Sequence, residues 1–185
     1  MKGILNYYSF AFALYILLAL MRIQAKTIII KNDESYIKMK DIINNNQNDN
    51  ELILEFVDNY YDMRKYKSFE IYNTEISIQS FITFKGNSNE TIFDYKSNYY
   101  GNIHMSYEGK KNMLVKFENI TFKNFNPISQ IHVGFINVIS HVNNFQLQFY
   151  NCTFIDNMVN NVVLLLEPEK VNIIEPQVIF DNCHF

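Results

Sequence analysis

The sequence predicts an all-β fold built as a coil of stacked turns, and three observations predict it. One short phrase occurs three times at nearly constant spacing, as Phe117-Glu118-Asn119-Ile120-Thr121-Phe122, Phe149-Tyr150-Asn151-Cys152-Thr153-Phe154 and Phe180-Asp181-Asn182-Cys183-His184-Phe185. From Glu51 onward, short apolar runs follow one another with no helical periodicity between them. Asn is abundant while Gly and Pro number only 5 and 3, so turns fall to Asn, which tolerates a left-handed backbone better than other non-Gly residues.

Residues Ile4 to Met21 form an uncharged apolar run between Lys2 and Arg22, with the small residue Ala25 following. This is the layout of a secretory signal peptide, residues 1–25, cut after Ile23-Gln24-Ala25. The alternative is a retained membrane anchor, since about 20 apolar residues span a bilayer. Removal of residues 1–25 leaves 26–185, enough for one domain, and the net charge of −3 becomes −5 as Lys2 and Arg22 are lost. An acidic chain has no electrostatic footprint for nucleic acid. Two cysteines do not make a disulfide scaffold.

Thr27-Ile28-Ile29-Ile30 reads as a strand, and Asn32-Asp33-Glu34-Ser35 as the N-cap of a helix with Tyr36, Met39 and Ile43 on one face, flanked by Ile37 and Ile42. The polar tract 44–50 ends that helix. Strands are then expected at 52–57, 69–72, 76–79, 81–84, 91–95, 103–107, 114–117, 131–139, 145–149, 162–166, 171–174 and 178–180. Upstream of the first full phrase, Ile82-Thr83-Phe84-Lys85 matches Ile120-Thr121-Phe122-Lys123 letter for letter, which reads as a degenerate fourth copy at a longer spacing. The expected organisation is a signal at 1–25, an N-terminal cap of strand, helix and first coil at 26–75, and coils at 76–185 without a C-terminal cap. Such a layout implies a fragment, a truncated reading frame, or a domain completed by another chain.

The phrase carries its own geometry. Along a straight strand Phe117 and Phe122 would point to opposite faces. A left-handed bend at Asn119, and likewise at Asn151 and Asn182, turns a corner so that both aromatics face one interior. Stacking such turns about 4.8 Å apart lays Phe on Phe and lets the Asn amides bond along the stack. The result is a right-handed parallel β-helix whose open first coil the helix covers. A Greek-key sandwich is the alternative all-β arrangement, but it leaves the periodic Asn unexplained.

The phrase Phe-x-Asn-[Ile/Cys]-[Thr/His]-Phe resembles the coil motif of pectate-lyase-like β-helix proteins, and is similar to repeats of polymorphic outer-membrane adhesins, over about residues 76–185. The first resemblance implies an acidic-polysaccharide enzyme, and its catalytic pattern is incomplete here. Arg64, the one Arg of residues 26–185, precedes the repeats, and Asn73-Thr74-Glu75 stands without an Asp-Asp pair or a Gly-His-Gly. No cofactor or metal is expected.

Cys152 and Cys183 occupy one slot in successive coils and read as small interior residues continuing Ile120, with a disulfide as the alternative. His104, His132 and His141 have no acid or nucleophile at a useful spacing. Sequons fall at Asn89, Asn119 and Asn151. Burial of the ladder Asn would leave Asn89 as the glycan site. Tyr60, Tyr61, Tyr66, Tyr95, Tyr99, Tyr100 and Tyr107 cluster before the regular coils and suit sugar stacking or protein contact, unless they pack the irregular first turns. The functional expectation is a secreted or cell-surface, non-catalytic β-helix protein presenting a sheet face to a polysaccharide or a surface protein. The alternative is the N-terminal part of a polysaccharide lyase or glycoside hydrolase.

Overall fold

A computed structural model describes residues 25–48, 51–65, 75–98, 101–108, 112–126, 134–158, 161–167 and 176–185. The strands are β1 (Lys26–Ile30), β2 (Glu51–Phe56), β3 (Tyr60–Asp62), β4 (Glu75–Ser77), β5 (Phe81–Gly86), β6 (Thr91–Asn98) and β7 (Ile103–Tyr107). They continue as β8 (Met113–Glu118), β9 (Ile120–Phe125), β10 (Ile136–Ser140), β11 (Phe145–Tyr150), β12 (Thr153–Ile155), β13 (Val162–Leu166) and β14 (Val178–Asp181). They form three parallel sheets: A, in the order β1-β2-β5-β8-β11-β14; B, β12-β9-β6-β3; and C, β13-β10-β7-β4. From β2 to β13 each turn runs through A, B and C before returning one layer further on, so the fold is a parallel β-solenoid. The expected strands at 69–72 and 171–174 lie outside the described residues.

Register makes the core a set of columns. In sheet A, Leu54, Phe84, Phe117, Phe149 and Phe180 stand in line, and in sheet B Tyr61, Phe93, Phe122 and Phe154 do the same. The sheet A rings stack at 4.5, 5.3 and 4.8 Å from Phe84 to Phe180. Within each phrase the two Phe rings meet edge to face across the interior, Phe117 to Phe122 at 5.7 Å and Phe149 to Phe154 at 5.5 Å. Ile76, Met105, Val138 and Leu164 supply the column of sheet C.

The corner between sheets A and B is left-handed at Asn119, Asn151 and Asn182, with φ of 56°, 52° and 51°. Asn151 Nδ2 donates to Asn119 Oδ1 at 2.7 Å, and Asn182 Nδ2 to Asn151 Oδ1 at 3.0 Å. The expected burial of this ladder is corrected by the structure. At a left-handed corner Cβ projects away from the coil axis, so Asn119 is half-buried while Asn151 and Asn182 are exposed. All three sequons therefore lie on the outer surface, and burial does not single out Asn89, which is also exposed. Asn151→Ala is expected to cost about 1–2 kcal/mol, from left-handed strain plus two lost side-chain bonds, and Asn151→Gly about half of that. Denaturant unfolding of the two variants checks the split.

The register assigned to Ile82-Thr83-Phe84-Lys85 is also corrected. Phe84 stacks in the column of Phe117, and it is Thr91-Ile92-Phe93 that pairs with Ile120-Thr121-Phe122. A loop opens this corner between β5 and β6, so its two phenylalanines, Phe84 and Phe93, stand nine residues apart where Phe117 and Phe122 stand five apart. The interior column sets register, and a four-letter identity among common β-formers does not override it. Gly86 stands at the opened corner because a Cβ there would collide with the Asn119 carbonyl of the next turn.

The helix expected near residue 36 is present as α1 (Glu34–Ile37) and α2 (Met39–Asn45). The Ser35 amide donates to Asp33 Oδ1 at 2.8 Å at its start, and Tyr36, Met39 and Ile43 are buried. It occupies the first turn after β1, where sheets B and C have no strand yet. Tyr36 meets Tyr61 at 5.4 Å, and Gln47 beyond the helix bonds the Ser77 carbonyl and the Gln79 amide of the edge strand β4 and the following residues. The helical segment thus covers the apolar end of the stack.

Candidate functional site

Among the outward side chains, one cluster on sheet B has an architecture of its own. Its outer column runs Asp62, Asp94, Lys123 along β3, β6 and β9. Strand β6 is bulged between Asp94, opposite Lys123, and Asn98, opposite Phe125. This bulge contains Lys96 and Ser97 in consecutive left-handed conformations, φ 53° and 55°, which is costly for residues with a Cβ. Its effect is to bring Lys96 back over its own strand.

Asp94 anchors the cluster, with its side chain only 4% exposed. Oδ1 accepts from the Lys96 amide and from Asn124 Nδ2, each at 2.9 Å. Oδ2 accepts from the Tyr60 hydroxyl at 3.1 Å and pairs with Lys96 Nζ at 3.2 Å and Lys123 Nζ at 4.0 Å. Burial pushes the Asp94 carboxyl upward, but hydrogen bonds from Asn124, Lys96 and Tyr60 outweigh it and leave the group below its ordinary value. Beside it Arg64 grips Asp62 bidentately, at 2.9 and 2.6 Å, and that side-chain bond likewise holds the Asp62 carboxyl low. Lys96 Nζ lies 5.1 Å above the Tyr60 ring. The face thus presents Arg64, Lys96 and Lys123 against two acids that are both already engaged.

The tyrosines expected to stack on a ligand are mostly elsewhere. Tyr61, Tyr95 and Tyr107 are completely buried. Tyr61 donates to the Ile30 carbonyl at 2.7 Å, Tyr95 packs on Phe125 and Phe135, and Tyr107 donates to the Gln146 carbonyl at 3.1 Å. Burial raises the Tyr61 hydroxyl to about 12 and the Tyr107 hydroxyl further. These rings fill the irregular early turns where the regular phrase supplies no Phe, so an exposed binding role for them is corrected. Tyr60 is half-buried at the surface, with one face covered by Lys96. Tyr66, Tyr99 and Tyr100 lie outside the described residues.

Cys152 and Cys183 are unbridged, in register through the Thr153–His184 bridge and a His184 amide bond to the Cys152 carbonyl. Each thiol donates to the carbonyl of the phenylalanine one layer up, Cys152 to Phe117 at 3.5 Å and Cys183 to Phe149 at 3.4 Å. Burial pushes the Cys152 thiol up to about 12, which makes it a poor nucleophile. His104 is half-buried in sheet C, and burial lowers its value; His141 pairs with Glu167 at 3.2 Å; His132 lies outside the described residues. Among the described residues no three His, Cys, Asp or Glu side chains converge on a point, and no helix is long and apolar enough to cross a membrane.

The sequence reading did not find Asp94, Lys96 or Lys123. The available signal was weak: Asp62 and Asp94 lie one coil period apart, and each is followed at the next position but one by a cation, Arg64 or Lys96. Comparison with protein-family models, curated proteins and solved structures finds no match for this chain.

Proposed function

We propose that the protein is a secreted or cell-surface β-solenoid that recognises another protein, without catalysis, through the outer face of sheet B. The observation that carries this reading is the buried Asp94, which fixes Tyr60, Lys96 and Asn124 on a stiff sheet. Side chains already held in place lose little entropy on binding, and an array of both charge signs favours one partner orientation over others. Protein is favoured over sugar at this face because Lys96 caps one face of the Tyr60 ring. Asp62 and Asp94 are each committed to cations and held ionised, which suits anchoring better than the proton transfer a hydrolase requires.

The purified chain, immobilised and screened against purified extracellular proteins, is expected to retain a partner whose affinity drops about tenfold with Lys123→Glu or Tyr60→Ala and weakens with added salt. Unchanged binding by both variants overturns the assignment of the face. Release of new reducing ends or unsaturated products from a polysaccharide by the purified protein overturns the non-catalytic reading.

A further inference from the structure

Three sequons of the form Asn-x-Thr lie along the chain, at Asn89, Asn119 and Asn151, and protein recognition at sheet B uses none of these asparagines. All three face outward, but the folded coil asks different things of them. Asn119 and Asn151 are consecutive rungs of the corner ladder. Asn151 Nδ2 donates to Asn119 Oδ1, and Asn151 Oδ1 accepts from Asn182 Nδ2. Asn89 belongs instead to the loop that opens this corner between β5 and β6. It is exposed, and its side chain makes no hydrogen bond among the described residues.

The loop is held in place without that side chain. Asn87 Nδ2 donates to the Val57 carbonyl at 3.3 Å and to Asn59 Oδ1 at 2.9 Å. The Asn89 backbone amide donates to Asn87 Oδ1 at 2.8 Å, so it is the main chain that fixes residue 89. On the far side, Thr121 Oγ1 donates to Glu90 Oε1 at 3.2 Å. Thr91, the last residue of the sequon, is completely buried. Its hydroxyl accepts from the Asn87 amide at 2.9 Å and donates to the Asp58 carbonyl at 3.5 Å.

We propose that Asn89 carries an N-linked glycan and that the folded protein carries none at Asn119 or Asn151. Such a glycan requires passage through the secretory route, so the site rests on the secreted reading. In the transfer, Asn89 Nδ2 attacks the anomeric carbon of an oligosaccharide carried on a polyprenyl diphosphate. The N–C bond forms, the bond from that carbon to the diphosphate oxygen breaks, and the diphosphate leaves with the proton lost from Nδ2. The sequon hydroxyl is needed for recognition, and folding buries it in Thr91, so transfer precedes closure of this turn. A glycan on Asn119 or Asn151 would stand against a rung about 4.8 Å away, a spacing narrower than a sugar ring. A chain modified there closes its corner only by opening the ladder, whereas a glycan on Asn89 displaces no side-chain bond.

The test is expression of the full chain in a eukaryotic cell that N-glycosylates its secretory proteins. Protein from the medium or the cell surface is compared before and after peptide N-glycosidase, and peptide mass mapping reads each released site as Asn converted to Asp. A single glycan is expected, at Asn89. Asn89→Gln and Asn89→Asp are each expected to abolish the whole mobility shift and to leave the circular dichroism spectrum unchanged. Exported protein with Asn89 unmodified, or with a glycan at Asn119 or Asn151, overturns the proposal and leaves the secreted reading standing. A chain found wholly in the cytosol overturns both.

Discussion

Phe122→Ala is expected to lower the unfolding free energy by about 4 kcal/mol, the upper range for a buried aromatic truncation. Phe122 is fully buried at the crossing of two columns. Its ring meets Phe93 at 5.6 Å and Phe154 at 5.5 Å along sheet B, Phe117 at 5.7 Å and Phe149 at 6.1 Å across the interior, and Phe135 at 4.7 Å. Truncation leaves a void walled by rigid rings on a regular sheet, where little collapse can refill it. Folded domains hold about 5–15 kcal/mol in total, so the variant should sit close to its unfolding threshold. Phe122→Leu should cost clearly less. Phe185 continues the same column at 4.9 Å from Phe154 but is 77% exposed, and its alanine variant should lose under about 1 kcal/mol. Chemical denaturation of the three variants tests the ordering, and a Phe122→Ala protein as stable as the parent would contradict the columnar core.

Asp94→Ala is expected to be the most damaging change at the surface, at about 2–4 kcal/mol, because it leaves Lys96, Tyr60 and Asn124 without their common acceptor. The pH dependence follows from the sign of the shift. The Asp94 carboxyl lies lower in the folded chain than its ordinary value of 3.8, so its contribution is fully present above that value and is lost as pH falls through the lower folded value. Asp62 shares the direction, through Arg64. Asp94→Asn keeps the shape without the charge and should remove part of the acid-side loss. Thermal unfolding followed from neutral to strongly acid pH distinguishes the two proteins, and superimposable acid limbs would show that Asp94 does not anchor the cluster.

Much of the coil was legible because its determinants are local. The parity change at Asn119 demands a corner, and Tyr36, Met39 and Ile43 share a helix face whatever they pack against. What escaped depends on neighbours one turn away. Asn124 and Asp156, both left-handed at φ 60° and 52°, make a second corner at the far side of sheet B. Their side chains differ, so no phrase advertises it. The outward direction of Asn151 follows from a backbone conformation and not from polarity. Tyr61, Tyr95 and Tyr107 are polar enough to read as surface, yet each takes an interior place left empty in the early turns. The Asp94 cluster joins three turns through a bulge, and composition gives no hint that Lys96 folds back over its strand.

The shared register of the turns makes a whole turn the natural unit of change. Phe117, Phe149 and Phe180 present the same column to the layer above and below, as do Asn119, Asn151 and Asn182. Excising one full period would set like against like at the new junction, whereas a single-residue deletion inside a strand would turn every later side chain in that strand to the wrong face. Such a chain can lengthen by duplication of a turn, or shorten by its loss, without redesigning its interior, while the Asp94 cluster, which joins three successive turns, ties those turns to one another.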